Sequence, residues 1–137
     1  MYVNPAFRID HALCLDYAEA RGFGLIIGCD NGRPLASPLP FRVLRVDGAP
    51  PRLAFHVARV NPLAALAHQG GTWMVAVAGP DAYVSPDWYA SRDLVPTWLY
   101  EHVQLSGPVR LVGAGGEAAH LADLSAKFES WLAPKTP

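Results

Sequence analysis

Apolar residues recur at two spacings along the chain, and the spacing changes at turn-forming residues. Within residues 11–21 they follow helical periodicity, with Asp10 as the N-cap and Gly22 as the C-terminal stop. Residues 23–28 form a compact apolar run, and the Asp-Asn-Gly tripeptide at 30–32 favours a tight turn after it. The pattern predicts a short helix, a strand, a turn and a returning strand.

The returning segment, residues 33–46, has three prolines in its first half. Proline cannot donate a ladder hydrogen bond, so we expect an edge strand or irregular chain there, and a clean strand only over 41–46. A second turn at 47–51 leads into residues 52–59, where large apolar and smaller side chains alternate. This alternation predicts another strand.

A short helix and a buried strand are predicted next. Asn61 and Pro62 supply an N-cap and a first-turn proline for a helix of about two turns, which ends at the glycines 70–71. Residues 72–78 are apolar on both faces, which is typical of a strand inside a covered sheet. We expect this strand to be central to the fold.

The rest of the chain supplies the remaining strands and a last helix. After residues 79–92, rich in Pro, Gly, Ser and aromatic residues, the pattern predicts strands over 95–105 and 109–112 and a helix over 117–132. The glycine-rich segment 113–118 fits a dinucleotide fingerprint but leaves no room for the returning strand that it requires. The expected fold is mainly β with helical decorations (α+β), an antiparallel barrel and not a doubly wound sheet.

Composition and charge narrow the class of protein. The chain has 137 residues, of which 51% are hydrophobic, so one domain covering residues 1–137 is expected. The formal net charge is -1, so no basic surplus exists to hold a nucleic-acid backbone, and direct DNA binding is not expected. Without an apolar run long enough for a membrane span, or a signal-peptide core, a cytoplasmic protein without membrane attachment is expected.

Cysteine and histidine spacing gives no metal motif. Cys14 and Cys29 form no C-x-x-C pair, and the histidines show no metal-ligand spacing. No metal site, and no assembled catalytic triad, is expected from the sequence.

The segment HVARVNP at residues 56–62 places a guanidinium beside a capped helix start. Backbone N–H groups and the Arg59 fork both favour an anion there, so a phosphate site is one interpretation. His56 and Arg59 reach one ligand only if the strand kinks near Ala58. The alternative is a surface arginine followed by an ordinary N-cap at Asn61.

Tyrosine and tryptophan are concentrated within residues 83–100. Such side chains suit a planar ligand or a subunit interface, and the alternative is packing in the core. The set comprises Tyr83, Trp88, Tyr89, Trp98 and Tyr100.

Several of these segments together resemble one family. The stretches MYVNPAF at 1–7, PLPF at 38–41, HVARVNP at 56–62, GPDAYVSPDWY at 79–89 and VPTWLY at 95–100 occur in the order found in PaiB-type FMN-binding regulators. That family is part of the pyridoxamine-phosphate-oxidase-like, FMN-binding split barrels. The resemblance therefore implies an FMN-binding split β-barrel.

The resemblance also implies a homodimer with FMN at the dimer interface. His56, Arg59 and Asn61 match the family's H-V-A-R-x-N-P stretch and are expected at the phosphate end. No residue is implied as catalytic. The residues expected to line the flavin ring or the subunit interface are Tyr83, Ser85, Trp88, Tyr89, Thr97, Trp98 and Tyr100.

Three positions depart from the family pattern. Leu99 stands where Asn is usual, Ser37-Pro38 where Asn-His is usual, and Phe55 where Gly is common.

Three functions remain as alternatives. The first is a flavin-binding protein with a regulatory or sensing role, like the PaiB-type negative transcriptional regulators. The second is an FMN-dependent oxidoreductase. The third is a degenerate barrel that has lost flavin and acts as a dimeric interaction module.

Overall fold

In a computed structural model of the chain, residues 4–90, 93–113 and 115–132 are described. Residues 1–3 of the MYVNPAF motif, Ser91 and Arg92 of the aromatic-rich segment, and Ala114 of the glycine-rich segment lie outside the described residues. The helices and strands are α1 (His11–Arg21), β1 (Phe23–Asp30), β2 (Arg33–Leu44), β3 (Arg52–Phe55), α2 (Pro62–Ala67), β4 (Thr72–Val84), β5 (Thr97–Pro108) and α3 (Gly116–Glu129).

The strands form a five-stranded sheet in the order β3-β2-β1-β4-β5, and every neighbouring pair is antiparallel. Within the described residues β3 and β5 are the two edges and do not pair with each other, so the sheet is open. With helices added singly between strands, this is the mainly β, α+β split barrel that was predicted, and that prediction is confirmed.

Local capping and turn signals were predicted correctly. The Asp10 carboxylate accepts a hydrogen bond from the Ala12 N–H at 2.7 Å, and Gly22 ends α1 in the left-handed region. The β1–β2 turn has positive φ at Asn31 (48°) and Gly32 (82°), as a two-residue hairpin requires. None of the helices in the described residues has the length and hydropathy of a membrane crossing.

The prediction of a clean strand only from residue 41 was wrong, because β2 is continuous from Arg33. Its first half pairs with β1 alone, while β3 pairs only with Phe41 to Leu44. The expected open edge is therefore present. Prolines are accommodated along it because their nitrogens need no ladder partner on the open side.

Two other predicted strands have different limits. β3 ends at Phe55, so residues 56–59 are not a strand, and the Asn61 N–H closes a turn onto the Ala58 carbonyl at 2.9 Å. Residues 109–112 are irregular, while β5 continues through Pro108. β4 has the predicted inner position, between β1 and β5.

One hydrophobic core holds α1 and α2 against the sheet. Each helix contributes two buried side chains, and alternate residues of β4 face the same side. The core residues are Leu15, Ala18, Ile26, Phe41, Val43, Leu63, Leu66, Trp73, Val75 and Val77.

Candidate functional site

The loop between β3 and α2 is tied to β2 through Asn61. Its Oδ1 accepts a hydrogen bond from the Leu63 N–H at 3.0 Å, and its Nδ2 donates to the Ser37 Oγ at 2.8 Å. Asn61 is therefore the N-cap of α2, as predicted, and also a cross-link from the loop to β2.

A cavity of about 300 Å³ opens between this loop and β2. Its wall is mostly apolar, with polar atoms supplied by Ser37 and Asn61. This combination suits an organic ligand that carries a few polar groups. The lining residues are Leu35, Ala36, Ser37, Ala58, Val60, Asn61, Pro62 and Leu63.

Arg59 lies between two residues of that cavity wall, Ala58 and Val60. Its side chain is exposed, and within the described part of the chain it makes no hydrogen bond or ion pair. A free guanidinium beside a polar-edged cavity can bind a phosphate through two parallel hydrogen bonds.

His56 contacts α3. Its Nδ1 lies 3.4 Å from the Nε2 of His120, and the two rings meet edge to face with centroids 5.5 Å apart. Burial lowers the pKa of His120, and the charge of a protonated His56 would lower it further. The chain turns between Ala58 and Asn61, so the kink that would let His56 and Arg59 reach one ligand is present. His56 nevertheless contacts His120, whereas Asn61 contacts Ser37.

Tyr83 and Trp98 are cross-strand partners at one end of the β4–β5 pair, with ring centroids 6.0 Å apart in a T-shaped arrangement. Tyr100 is on the same face, two residues further along β5. Tyr83, Trp98 and Tyr100 are 47%, 56% and 64% exposed. The alternative interpretation, that they pack in the core, is therefore wrong for these three residues. We call these three residues the aromatic surface.

The other residues expected near the flavin ring lie close to the aromatic surface in the chain. Ser85 accepts a hydrogen bond from the Asp87 N–H at 3.2 Å and starts a single 3-10 turn over Pro86–Trp88. Trp88 and Tyr89 are exposed, and Thr97 begins β5 opposite Val84. They extend the exposed aromatic region beyond the strand pair.

A second open groove of about 290 Å³ lies beside a bulge in β4, where the register with β5 shifts between Ala78 and Asp81. Leu99, one of the three departures from the family pattern, is exposed in this groove. The lining residues are Pro80, Asp81, Ala82, Leu99, Tyr100 and Glu101.

Sequence patterns did not identify several residues near these sites. Tyr17 has a buried hydroxyl with no hydrogen-bond partner among the described residues, and burial together with the Glu101 carboxylate raises its pKa. His120 lies 64 residues from His56. No short sequence motif contains both Tyr17 and Glu101, or both His56 and His120.

The cavity and the aromatic surface lie far apart along the sheet. Ser37 is in register with Ile26, Ile26 is in register with Val75, and Tyr83 is eight positions further along β4. Eight residues of a regular strand rise about 25 Å, and the β4 bulge between Ala78 and Asp81 lies within this stretch. Among the described residues, no hydrogen bond or ring contact joins the two predicted halves of the site within one chain.

Comparisons with known proteins agree with the fold and with the kind of ligand. The model of a family described as "Putative FMN-binding domain" matches residues 1–137. Protease synthase and sporulation protein PAI 2 of Bacillus subtilis (strain 168) is 28% identical over 130 residues, which are 94% of this chain and 62% of the relative.

A solved structure of an FAD and heme binding protein from Mycobacterium smegmatis is 18% identical, with a TM-score of 0.68. The match covers 94% of this chain and 60% of that one, and it shows that the fold is shared. The chain therefore spans about three fifths of the length of each relative.

Proposed function

The chain belongs to the family of FMN-binding domains, and from this premise we propose that it is a homodimeric flavoprotein with a regulatory or sensing role. FMN is its cofactor, and two copies of the chain enclose each flavin. Bound FMN supplies redox chemistry, while the protein supplies binding, orientation and electrostatics.

The residues of the loop after β3 fit the phosphate end of FMN. Arg59 offers a guanidinium that has no partner among the described residues, and the Ser37 hydroxyl lies at the polar side of the cavity. We assign the phosphate to Arg59, with Asn61 holding the loop against β2. His56 belongs to the same segment and would border the site, although its side chain contacts His120. A charge-assisted pair of this kind contributes about 1.5–3 kcal/mol.

The aromatic surface fits the flavin ring or the partner subunit. Flat, exposed side chains with polar tips cover a planar ligand at low entropic cost. In this proposal Ser85, Trp88, Tyr89 and Thr97 border the same region. Contiguous exposed aromatic residues on a monomer are typical of a binding surface.

One observation supports a site shared between two copies. The phosphate end and the aromatic surface are separated by eight residues of β4, which rise about 25 Å in a regular strand, and no hydrogen bond or ring contact joins them among the described residues. We infer that one copy does not offer both ends to one flavin. A second copy in two-fold symmetry brings its aromatic surface to the first copy's phosphate end, and the reverse.

The regulatory part of the proposal is supported by the Bacillus relative, whose name refers to a protease synthase and to sporulation. With a net charge of -1, an effect on transcription would operate through a partner protein or a small ligand and not through the DNA backbone.

An FMN titration combined with sedimentation velocity tests the proposal on the untagged chain. We expect flavin fluorescence to change until one FMN is bound per chain, and the bound species to sediment as a dimer. A monomer that binds FMN would overturn the shared site. Failure to bind FMN would overturn the whole proposal, and catalytic turnover of NADH or NADPH would favour the oxidoreductase instead.

A further inference from the structure

The spacing of the two ring nitrogens of His56 and His120 is unusual for a hydrogen bond. They are 3.4 Å apart, whereas N–H donors in proteins are commonly 2.7–3.2 Å from their acceptors. Two imidazole nitrogens on one tetrahedral metal ion, each about 2.0–2.1 Å from it, are about 3.3–3.4 Å apart. The observed spacing matches the second arrangement.

We propose that His56 and His120 form a binding site for a divalent transition-metal ion, with His56 Nδ1 and His120 Nε2 as its two protein ligands. Water completes the coordination, since no group of three or more metal-ligating side chains occurs in the part of the chain that the structure describes. The proposal goes beyond the flavin function: it shares His56 with the proposed phosphate end but requires no bound FMN.

The surroundings of the pair are compatible with a cation. Arg42 of β2 is ion-paired to the Asp123 carboxylate of α3 at 2.7 Å, so its charge is compensated. Asp123 lies one helical turn after His120 and adds negative potential on the same face of α3.

The ligand chemistry restricts the choice of ion. Neutral imidazole favours Ni²⁺, Cu²⁺ and Zn²⁺, whereas Mg²⁺ and Ca²⁺ prefer oxygen ligands. Because His56 follows β3 and His120 belongs to α3, a bound ion would cross-link α3 to the end of that strand. Metal binding should therefore stabilise the folded chain, because the unfolded chain does not hold the two ligands together.

Titration of the untagged full chain with Ni²⁺, without FMN and in a buffer that does not chelate metals, is the direct test. Calorimetry should show one Ni²⁺ per chain, Ni²⁺ should raise Tm, and Mg²⁺ should leave Tm unchanged. His56→Gln and His120→Gln should each weaken Ni²⁺ binding about tenfold or more, because each leaves a single protein ligand.

Matched variants separate this site from other metal-binding groups. His68→Gln removes an exposed histidine at the end of α2, and Cys29→Ser removes the exposed thiol; both should bind Ni²⁺ like the native chain. Because His56 is exposed, its variant should fold even if the His120 variant does not. Absence of Ni²⁺ binding, or binding that His56→Gln retains or Cys29→Ser abolishes, would overturn the proposal.

Discussion

The hydroxyl of Tyr17 on α1 occupies the space into which a side chain at Gly79 of β4 would extend. Gly79 lies at the bulge of β4, and a Cβ atom there would also come within 2.9 Å of the Glu101 Cβ. Helix α1 can therefore pack over the bulge only if residue 79 has no side chain.

Replacement of Gly79 by alanine should destabilise the fold. We expect a loss of about 1–3 kcal/mol in the free energy of unfolding, because the new methyl group overlaps the Tyr17 hydroxyl. Adding Tyr17→Phe to Gly79→Ala should recover part of the loss, since it removes the overlapping oxygen. Urea denaturation of both single variants and the double variant measures the coupling.

A matched glycine provides the control. Gly107 of β5 has an ordinary φ, and apart from its chain neighbours no described residue lies within 4 Å of the position that an added methyl group would take, so Gly107→Ala should be tolerated. Equal destabilisation at positions 79 and 107 would contradict the packing relationship and point instead to a general cost of alanine in these strands.

Tyr17 should also make stability depend on alkaline pH. Burial, and then the Glu101 carboxylate, raise the pKa of its hydroxyl above 10.0, so the folded chain keeps this proton at a pH where the unfolded chain loses it. The contribution of this hydroxyl to stability should be constant below pH 10. The free energy of unfolding should then fall as the pH rises from 10 through the pKa of the folded state.

Tyr17→Phe should flatten this alkaline decline, measured by urea denaturation from pH 8 to 11. At pH 7 we expect the variant to be as stable as the native chain or more stable, by up to about 1 kcal/mol, because the buried hydroxyl has no partner among the described residues. Tyr89→Phe, at an exposed tyrosine, is the control and should leave the decline intact. A marked loss of stability at pH 7 would mean that the hydroxyl forms a favourable hydrogen bond.

Arg59→Ala should weaken FMN binding by about tenfold or more, because a charge-assisted pair with the phosphate is lost. Fluorescence titration with FMN and with riboflavin separates the effects, since riboflavin has no phosphate and its affinity should not change. Arg52→Ala removes an exposed arginine at the far end of β3 and should bind FMN normally. Equal affinity for FMN in the Arg59 variant and the native chain would move the phosphate elsewhere.

Local signals were sufficient where one short segment determines its own structure. The α1 caps, the turn at Asn31-Gly32 and the Asn61 N-cap all depend on backbone groups within four residues. The strand limits predicted from the prolines of β2 and from Gly107 of β5 were wrong, because pairing with a neighbouring strand outweighed the local preference of these residues.

The candidate site was predictable only in part, for the same reason. Arg59 and Trp98 could be proposed as site residues because their residue types and neighbours form recognisable motifs. The contact of His56 with His120, and that of Tyr17 with Gly79, each join elements far apart in sequence. The periodicity of a single sequence describes positions within one helix or strand, so it does not predict contacts between distant elements.

Trp98→Ala should weaken the dimer more than any other exposed tryptophan variant in the described part of the chain. Its ring is 56% exposed in one copy and packs edge to face with Tyr83, an arrangement expected of an interface anchor, whose loss typically costs about 2 kcal/mol or more. Sedimentation velocity with saturating FMN should therefore show a dimer dissociation constant about thirtyfold higher or more. Trp131→Ala is the control, because Trp131 is also 56% exposed but follows α3 and packs on Phe128 of that helix. If both variants dimerise like the native chain, the aromatic surface is not the interface and the flavin ring must be covered by another face of the partner.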